Sequence, residues 1–122
     1  MSFVAVDAAE SFCYLTSTGR RTAQPHTIEI WFALQGGTMY LMSGGREKAD
    51  WVRNIIADGG VHVRVGEDEL TGRARIVQPN TDEDALARRL LLGKYEPPGS
   101  DELKSWGRSA LPVAIDLDEG GA

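Results

Sequence analysis

Apolar and polar residues alternate along most of this chain with the two-residue period of strands. In two stretches the spacing lengthens to that of a helix. The first run, Phe12 to Thr18, is aromatic, apolar and β-branched and predicts a strand. A polar turn, Gly19-Arg20-Arg21-Thr22, follows it. Pro25 is tolerated at a strand's first position, and from His26 to Leu34 the alternation is clean. Ile28, Ile30, Phe32 and Leu34 fall on one face, and Thr27, Glu29, Trp31 and Ala33 on the other. Trp31 and Ala33 make the second face partly apolar too, so the run reads as one strand covered on both sides. Gly36-Gly37 is a hairpin signal. Thr38 to Ser43 is the partner strand, with Met39 and Leu41 opposite in sense to Tyr40 and Met42.

Ser43-Gly44-Gly45 then leads into the first helical stretch, where Trp51, Val52, Ile55 and Ile56 share a face. Its end is marked by Asp58-Gly59-Gly60. Val61, Val63 and Val65 alternate with His62 and Arg64. After a turn over Gly66 to Glu69, Leu70, Gly72, Ala74 and Ile76 alternate with Thr71, Arg73 and Arg75. The small Gly72 and Ala74 permit close packing in a curved sheet. Gln78-Pro79-Asn80 ends the strand run, and Thr81 with Asp84 makes a helix-start signature. That helix carries Ala85, Leu86, Leu90 and Leu91 on its apolar side and is predicted to stop at Gly93. Tyr95 to Ser100 reads as irregular, Ser100 as the cap of a short helix holding Leu103 and Trp106, and Leu111 to Leu117 as a last strand. Residues 1–10 and 119–122 read as peripheral or frayed. The sum is about six antiparallel strands, one helix after the third and one or two after the fifth. This is a mainly β chain with helices, in one domain over 1–122: a small barrel with helices at its rim, or else a sandwich.

Charge narrows the classes of function. With a formal net charge of −5, the 122-residue chain does not suit general nucleic-acid binding. The distribution is uneven. Acids cluster at Glu67-Asp68-Glu69, Asp82-Glu83-Asp84 and Asp116 to Glu119, while Arg20, Arg21, Arg46, Lys48 and Arg53 flank the Ser43-Gly44-Gly45 loop. A local basic group on an acidic protein suits a small anionic ligand, and scattered surface charge is the plainer alternative. No apolar run is long enough to predict a membrane span, and acids at Asp7 and Glu10 do not fit a secretory signal. The lone Cys13 forms no internal disulfide, which fits a reducing cytosol, and its apolar strand context marks it as a packed residue.

His26 and His62 lie apart with no further ligand beside them, so no metal is expected. No nucleophile elbow, Cys–His pair, Walker loop or G-x-G-x-x-G follows from the sequence, and no catalytic residue is identified. What remains is an anion site made of loop amides, a helix start and nearby bases.

YLTSTGRRTAQPHTIEIWF, then YLMSGGREKADWVRNI, then a V-x-V-x-V strand, RARIV and LPVAIDL follow one another in order from about Tyr14 to Leu117. This series resembles the deazaflavin-dependent nitroreductase family, a branch of the split β-barrel flavin and deazaflavin oxidoreductases. The resemblance implies a split barrel that binds coenzyme F420, a deazaflavin with a phosphate-containing tail, and transfers hydride to a small electron-poor acceptor such as a quinone, conjugated carbonyl or nitro compound. By position it implies cofactor contacts from Gly19, Arg20 and Arg21, from Pro25, His26, Thr27 and Ile28, from Leu41, Met42, Ser43 and Gly44, and from Asp50, Trp51 and Asn54. Ser43 and the loop amides would donate to the phosphate or ring carbonyl, and Trp51 and Met42 would offer apolar surface to the ring. Tyr95 and Trp106 are candidates for the substrate side. The chain departs from the pattern where His26 stands for a frequent arginine and Glu29 for a frequent proline, and the loop reaches its tryptophan two residues early. An FMN-binding member of the same fold and a non-enzymatic module that carries a cofactor, ligand or haem are the alternatives. A homodimer is compatible with the long strands.

Overall fold

The computed structural model describes residues 9–95 and 109–118. Seven strands form one antiparallel sheet: β1 (Cys13–Thr18), β2 (Pro25–Ile30), β3 (Ala33–Gln35), β4 (Thr38–Ser43), β5 (Gly60–Val65), β6 (Asp68–Ile76) and β7 (Leu111–Leu117). A single 3₁₀ turn, Arg46–Lys48, and helix α1 (Asp50–Ala57) lie between β4 and β5, and helix α2 (Asp82–Tyr95) lies between β6 and β7. The strand order is β2-β1-β5-β6-β7-β4-β3.

That order curls the sheet while leaving β2 and β3 unpaired with each other. β2 and β3 stand at opposite edges, yet only Trp31 and Phe32 separate them in the chain. A chain reaches at most about 3.6 Å per residue, so the two edges must come within roughly 11 Å of each other. The sheet therefore rolls into a barrel whose seam is one bent run, half paired to β1 and half to β4. The alternation from His26 to Leu34 predicted one strand, and the structure breaks it at Trp31-Phe32. The face assignment survives the bend. Phe32 is buried in the barrel with Ile28, Ile30 and Leu34 packed beside it, whereas Ala33 belongs to the outer layer under α2. β2 itself is largely exposed, so the expectation of a strand covered on both sides fits the Trp31–Leu34 half and not the Pro25–Ile30 half.

Two apolar layers share the central strands. Met39 and Leu41 of β4 point into the barrel with Leu15, Val61, Val63, Val65, Val113 and Ile115. Tyr40 and Met42 face outward and meet Ala87 and Leu91 of α2, together with Ala114 of β7. β4 and β7 are thus covered on both faces, which is why their sequences are apolar almost without interruption. Gly72 on β6 permits a close approach to β7: a Cβ there would stand 2.7 Å from the carbonyl oxygen of Asp116 and 2.8 Å from Ile115 Cγ2.

Both helices differ from their prediction in informative ways. In α1, Val52 and Ile55 are buried and Trp51 packs on the barrel, but Ile56 is 60% exposed and the polar Asn54 is buried in its place. α2 continues through Gly93 to Tyr95. An interior glycine disfavours a helix by about 1 kcal/mol relative to alanine. Here the last two residues have strong tertiary partners. Lys94 Nζ donates to the Phe32 carbonyl at 2.9 Å, and Tyr95 stacks on Trp31 with ring centroids 4.5 Å apart. The same two residues hold the strand break. Tyr95 Oη accepts from the buried Phe32 N–H at 3.0 Å, and its own proton goes to the carbonyl of Ser11 at 2.7 Å or of Phe32 at 3.0 Å. The predicted irregular segment up to Ser100, the short helix with Leu103 and Trp106, and the frayed ends at 1–8 and 119–122 lie outside the described residues. No helix among the described residues is long and apolar enough to cross a membrane.

Candidate functional site

The turn between β1 and β2 packs against α1 and forms a cleft of about 230 Å³ lined by Gly19, Arg20, Arg21, Thr22, His26, Asp50 and Asn54. The turn is closed by Gly19 N–H donating to the Gln24 carbonyl at 2.7 Å and Ala23 N–H donating to the Gly19 carbonyl at 2.9 Å. Ala23 adopts φ 59°, a left-handed conformation that disfavours a residue with a Cβ. Gly19 is needed for close approach: a Cβ on it would stand 2.7 Å from His26 Nε2 and 3.0 Å from Thr22 Oγ1. Glycine here lets the imidazole fold over the turn.

Asn54 ties the turn to the helix. Its Oδ1 accepts from the Arg20 backbone N–H at 3.2 Å and from Arg20 Nη1 at 2.9 Å, and its Nδ2 donates to Ser17 Oγ at 3.5 Å. Arg20 is completed by Asp50, whose Oδ1 lies 3.3 Å from Nη2. Arg21, next in sequence, is exposed and pairs with no other described residue. The other bases near the loop are mostly engaged. Arg46 Nη1 donates to the Ser109 carbonyl at 2.5 Å and Arg53 Nε to the Glu47 carbonyl at 3.3 Å, whereas Lys48 is exposed and has no described partner.

Of the residues singled out from the sequence, the structure brings Gly19, Arg20, Arg21, His26, Asp50 and Asn54 into this one cleft. Thr22 joins them, and its place in the polar turn beside Arg21 is the sequence signal for it. Pro25 lines a neighbouring, wider concavity of about 540 Å³ with Thr16, Thr18, His62, Thr71 and Arg73. Thr27 shares a hydrogen bond of 2.7 Å with Thr16, and Ile28 packs toward the barrel core. The end of β4 is placed elsewhere. Leu41, Met42 and Ser43 are buried, Ser43 Oγ donates to the Arg46 carbonyl at 3.1 Å, and Gly44 is exposed in the loop beyond. Trp51 lies against the barrel core. Among the described residues, this cleft is lined by Arg21 without Ser43 or Trp51. Tyr95 has its hydroxyl engaged with Phe32 and Ser11, and Trp106 lies outside the described residues.

A second polar cluster serves the scaffold. Arg75 on β6 meets Glu83 of α2 with two bonds of 2.6 and 2.8 Å and Asp116 of β7 at 2.8 and 3.2 Å. Tyr40 Oη donates to Glu83 at 2.8 Å. The guanidinium holds the carboxyls of Glu83 and Asp116 below the usual carboxylate range. Burial, and then the bond to Glu83, push the Tyr40 phenol up to about 12. Burial likewise pushes the Cys13 thiol up to about 12, the reverse of what a nucleophilic cysteine needs.

The family model for F420H(2)-dependent quinone reductases matches residues 6–118. The chain belongs to that family. Its cofactor is coenzyme F420, and it is an F420-dependent oxidoreductase. Similar solved structures include an F420-H2 dependent reductase (FDR-A), at 21% identity and TM-score 0.69, covering 88% of this chain and 94% of that one. A heme storage protein from Vibrio cholerae superposes with TM-score 0.73 at 11% identity, covering 91% and 84%. A domain-swapped dimer matches with TM-score 0.69 at 21% identity, covering 88% and 80%. At these identities the structures establish the shared split-barrel fold.

The cleft fits one part of such a cofactor. Ligand pockets commonly span about 300–1,000 Å³. At about 230 Å³ this cleft lies just below that range. Its donors, the Arg21 guanidinium and the polar side chains of Thr22 and His26, are of the kind that receive phosphate oxygens.

Proposed function

We propose that the chain binds reduced F420 with an anionic group of the cofactor in the cleft between the β1–β2 turn and α1, and that it reduces a small electron-poor acceptor such as a quinone or conjugated carbonyl. The observation that carries this reading is the convergence of Arg20, Arg21 and His26 from one segment, and Asp50 and Asn54 from another, on one cleft. The bound deazaflavin supplies the hydride. The chain's own residues bind and orient it. Arg21 offers the planar guanidinium that suits an oxyanion, and the turn is stiffened by its own backbone bonds before a ligand arrives. Gly44 and the buried end of β4, Met42 included, belong to the same reading as surface nearer the ring, with Trp51 packed on the barrel side.

A homodimer is part of the proposal, supported by the open edge of β2 and by the domain-swapped dimer among the similar structures. So is a cytosolic site of action, in keeping with one buried free cysteine. The test is a side-by-side titration of F420 and FMN into the purified protein, followed by fluorescence, then turnover of reduced F420 with a quinone panel. Binding of F420 below about 10 μM with slower or no binding of FMN is the expected outcome. Flavin bound in preference to F420, or tight F420 binding with no acceptor reduced, would redirect the assignment to the FMN or carrier alternatives.

A further inference from the structure

We infer that the two adjacent arginines of the β1–β2 turn have opposite jobs: Arg20 is a positioning residue, held and neutralised within the protein, and Arg21 is the cation that meets the ligand's anionic group. The inference rests on the reading of this cleft as the anion end of the cofactor site.

The argument is a count of charge and donors. Arg20 spends its backbone N–H and Nη1 on Asn54 and its Nη2 on Asp50. Asn54 is only 4% exposed and its Oδ1 accepts both bonds, so the contact is enclosed by the fold and does not wait for a ligand. Asp50 lines the same cleft, and its carboxylate would repel an incoming phosphate. The Arg20–Asp50 pair cancels that repulsion without leaving a net positive charge. Arg21 has no described partner, is exposed, and lines the cleft one residue on. The positive charge left over for an anion is therefore Arg21's. Asn54 acts through Arg20: it fixes the turn that presents Arg21, His26 and Thr22.

The charge assignment predicts signs that a direct ligand contact by Arg20 would not give. In F420 titrations at low salt, Asp50→Asn tightens binding about threefold, because Arg20 is then uncompensated. Arg20→Gln weakens it about fivefold, because Asp50 is then uncompensated. The double variant, Arg20→Gln with Asp50→Asn, recovers most of that loss. Arg21→Gln weakens binding tenfold or more in every background and flattens the dependence on salt. An Arg20→Gln loss that persists unchanged in the double variant overturns the assignment of Arg20 as the counter-charge that neutralises Asp50. An Arg21→Gln variant that binds as the wild type does overturns the cation role.

Two measurements without F420 separate this inference from the functional reading. Amide exchange in the ligand-free protein should quicken at Gly19 and Arg20 by tenfold or more in Asn54→Ala and stay unchanged in Arg21→Gln. Inorganic pyrophosphate should raise the Tm of the wild type and not of Arg21→Gln. If F420 fails to bind while both results hold, the cofactor reading falls and the division of labour stands. Unaltered exchange in Asn54→Ala overturns the positioning half, and a pyrophosphate shift that is absent from the wild type or survives Arg21→Gln overturns the cation half.

Discussion

Replacing Tyr95 by Phe removes one oxygen atom and tests what holds the bent seam of the barrel. The ring stays stacked on Trp31, so apolar burial is nearly conserved. The loss is the acceptor for the Phe32 N–H, a bond of 3.0 Å at a residue with no exposed surface. A buried donor left unsatisfied costs about 1–3 kcal/mol. The bond from Tyr95 to Ser11 goes as well, but that end is exposed and adds little. Lys94 still donates to the Phe32 carbonyl, so the carbonyl side of the bend keeps a partner. The sum is a destabilisation of about 2 kcal/mol, or a Tm lowered by roughly 6–10 °C for a domain of this size. Urea unfolding followed by tryptophan fluorescence measures the free energy, and amide exchange at Phe32 reports the bend directly. Affinity for F420 should move little, since Tyr95 does not line the cleft of Arg21 and Asn54. A change below about 0.5 kcal/mol, with Phe32 exchange unaltered, would refute the reasoning. A large loss of acceptor reduction with unchanged stability would return Tyr95 to the substrate side.

Three further outcomes follow from the same geometry. Glu83 and Asp116 have lowered pKa values through Arg75, so their stabilisation is present above the ordinary carboxylate range and is lost as pH falls through their folded-state values; urea midpoints should drop below about pH 4, and Glu83→Gln should flatten that slope while costing about 1 kcal/mol at neutral pH, a modest figure because the network is partly solvated. Cys13, buried and with its thiol pushed up to about 12, should resist iodoacetamide at pH 8 in the native protein and react on unfolding; rapid native labelling would mean that the barrel opens at β1. Ala23→Gly should raise stability by about 0.5–1 kcal/mol in urea melts, because it relieves a left-handed backbone at φ 59°; a loss of similar size would show that chain entropy outweighs the strain.

The strands were legible because their alternation is set by a barrel with an apolar inside, and Val61, Val63 and Val65 show it most plainly. The bend at Trp31-Phe32 was hidden because side-chain parity runs through it unchanged; what breaks the strand is Lys94 and Tyr95, over sixty residues away. The same partners carry α2 past the glycine that should have ended it. In α1, an apolar-face reading selects Ile56 and misses Asn54, whose burial is compensated by Arg20 and Ser17, each more than thirty residues off. The site divides along the same line. That Gly19, Arg20, Arg21 and Asn54 form one group was readable from their motif, but two neighbouring arginines look alike until Asp50 and Asn54 claim one of them.

The most direct trial of the central claim is a fluorescence titration of F420 into the wild type and Arg21→Gln in parallel, at low and at high salt. The account predicts micromolar binding by the wild type, binding at least tenfold weaker by the variant at low salt, and convergence of the two as salt rises. Equal affinities at every salt concentration, or no wild-type binding at tens of micromolar, would contradict it.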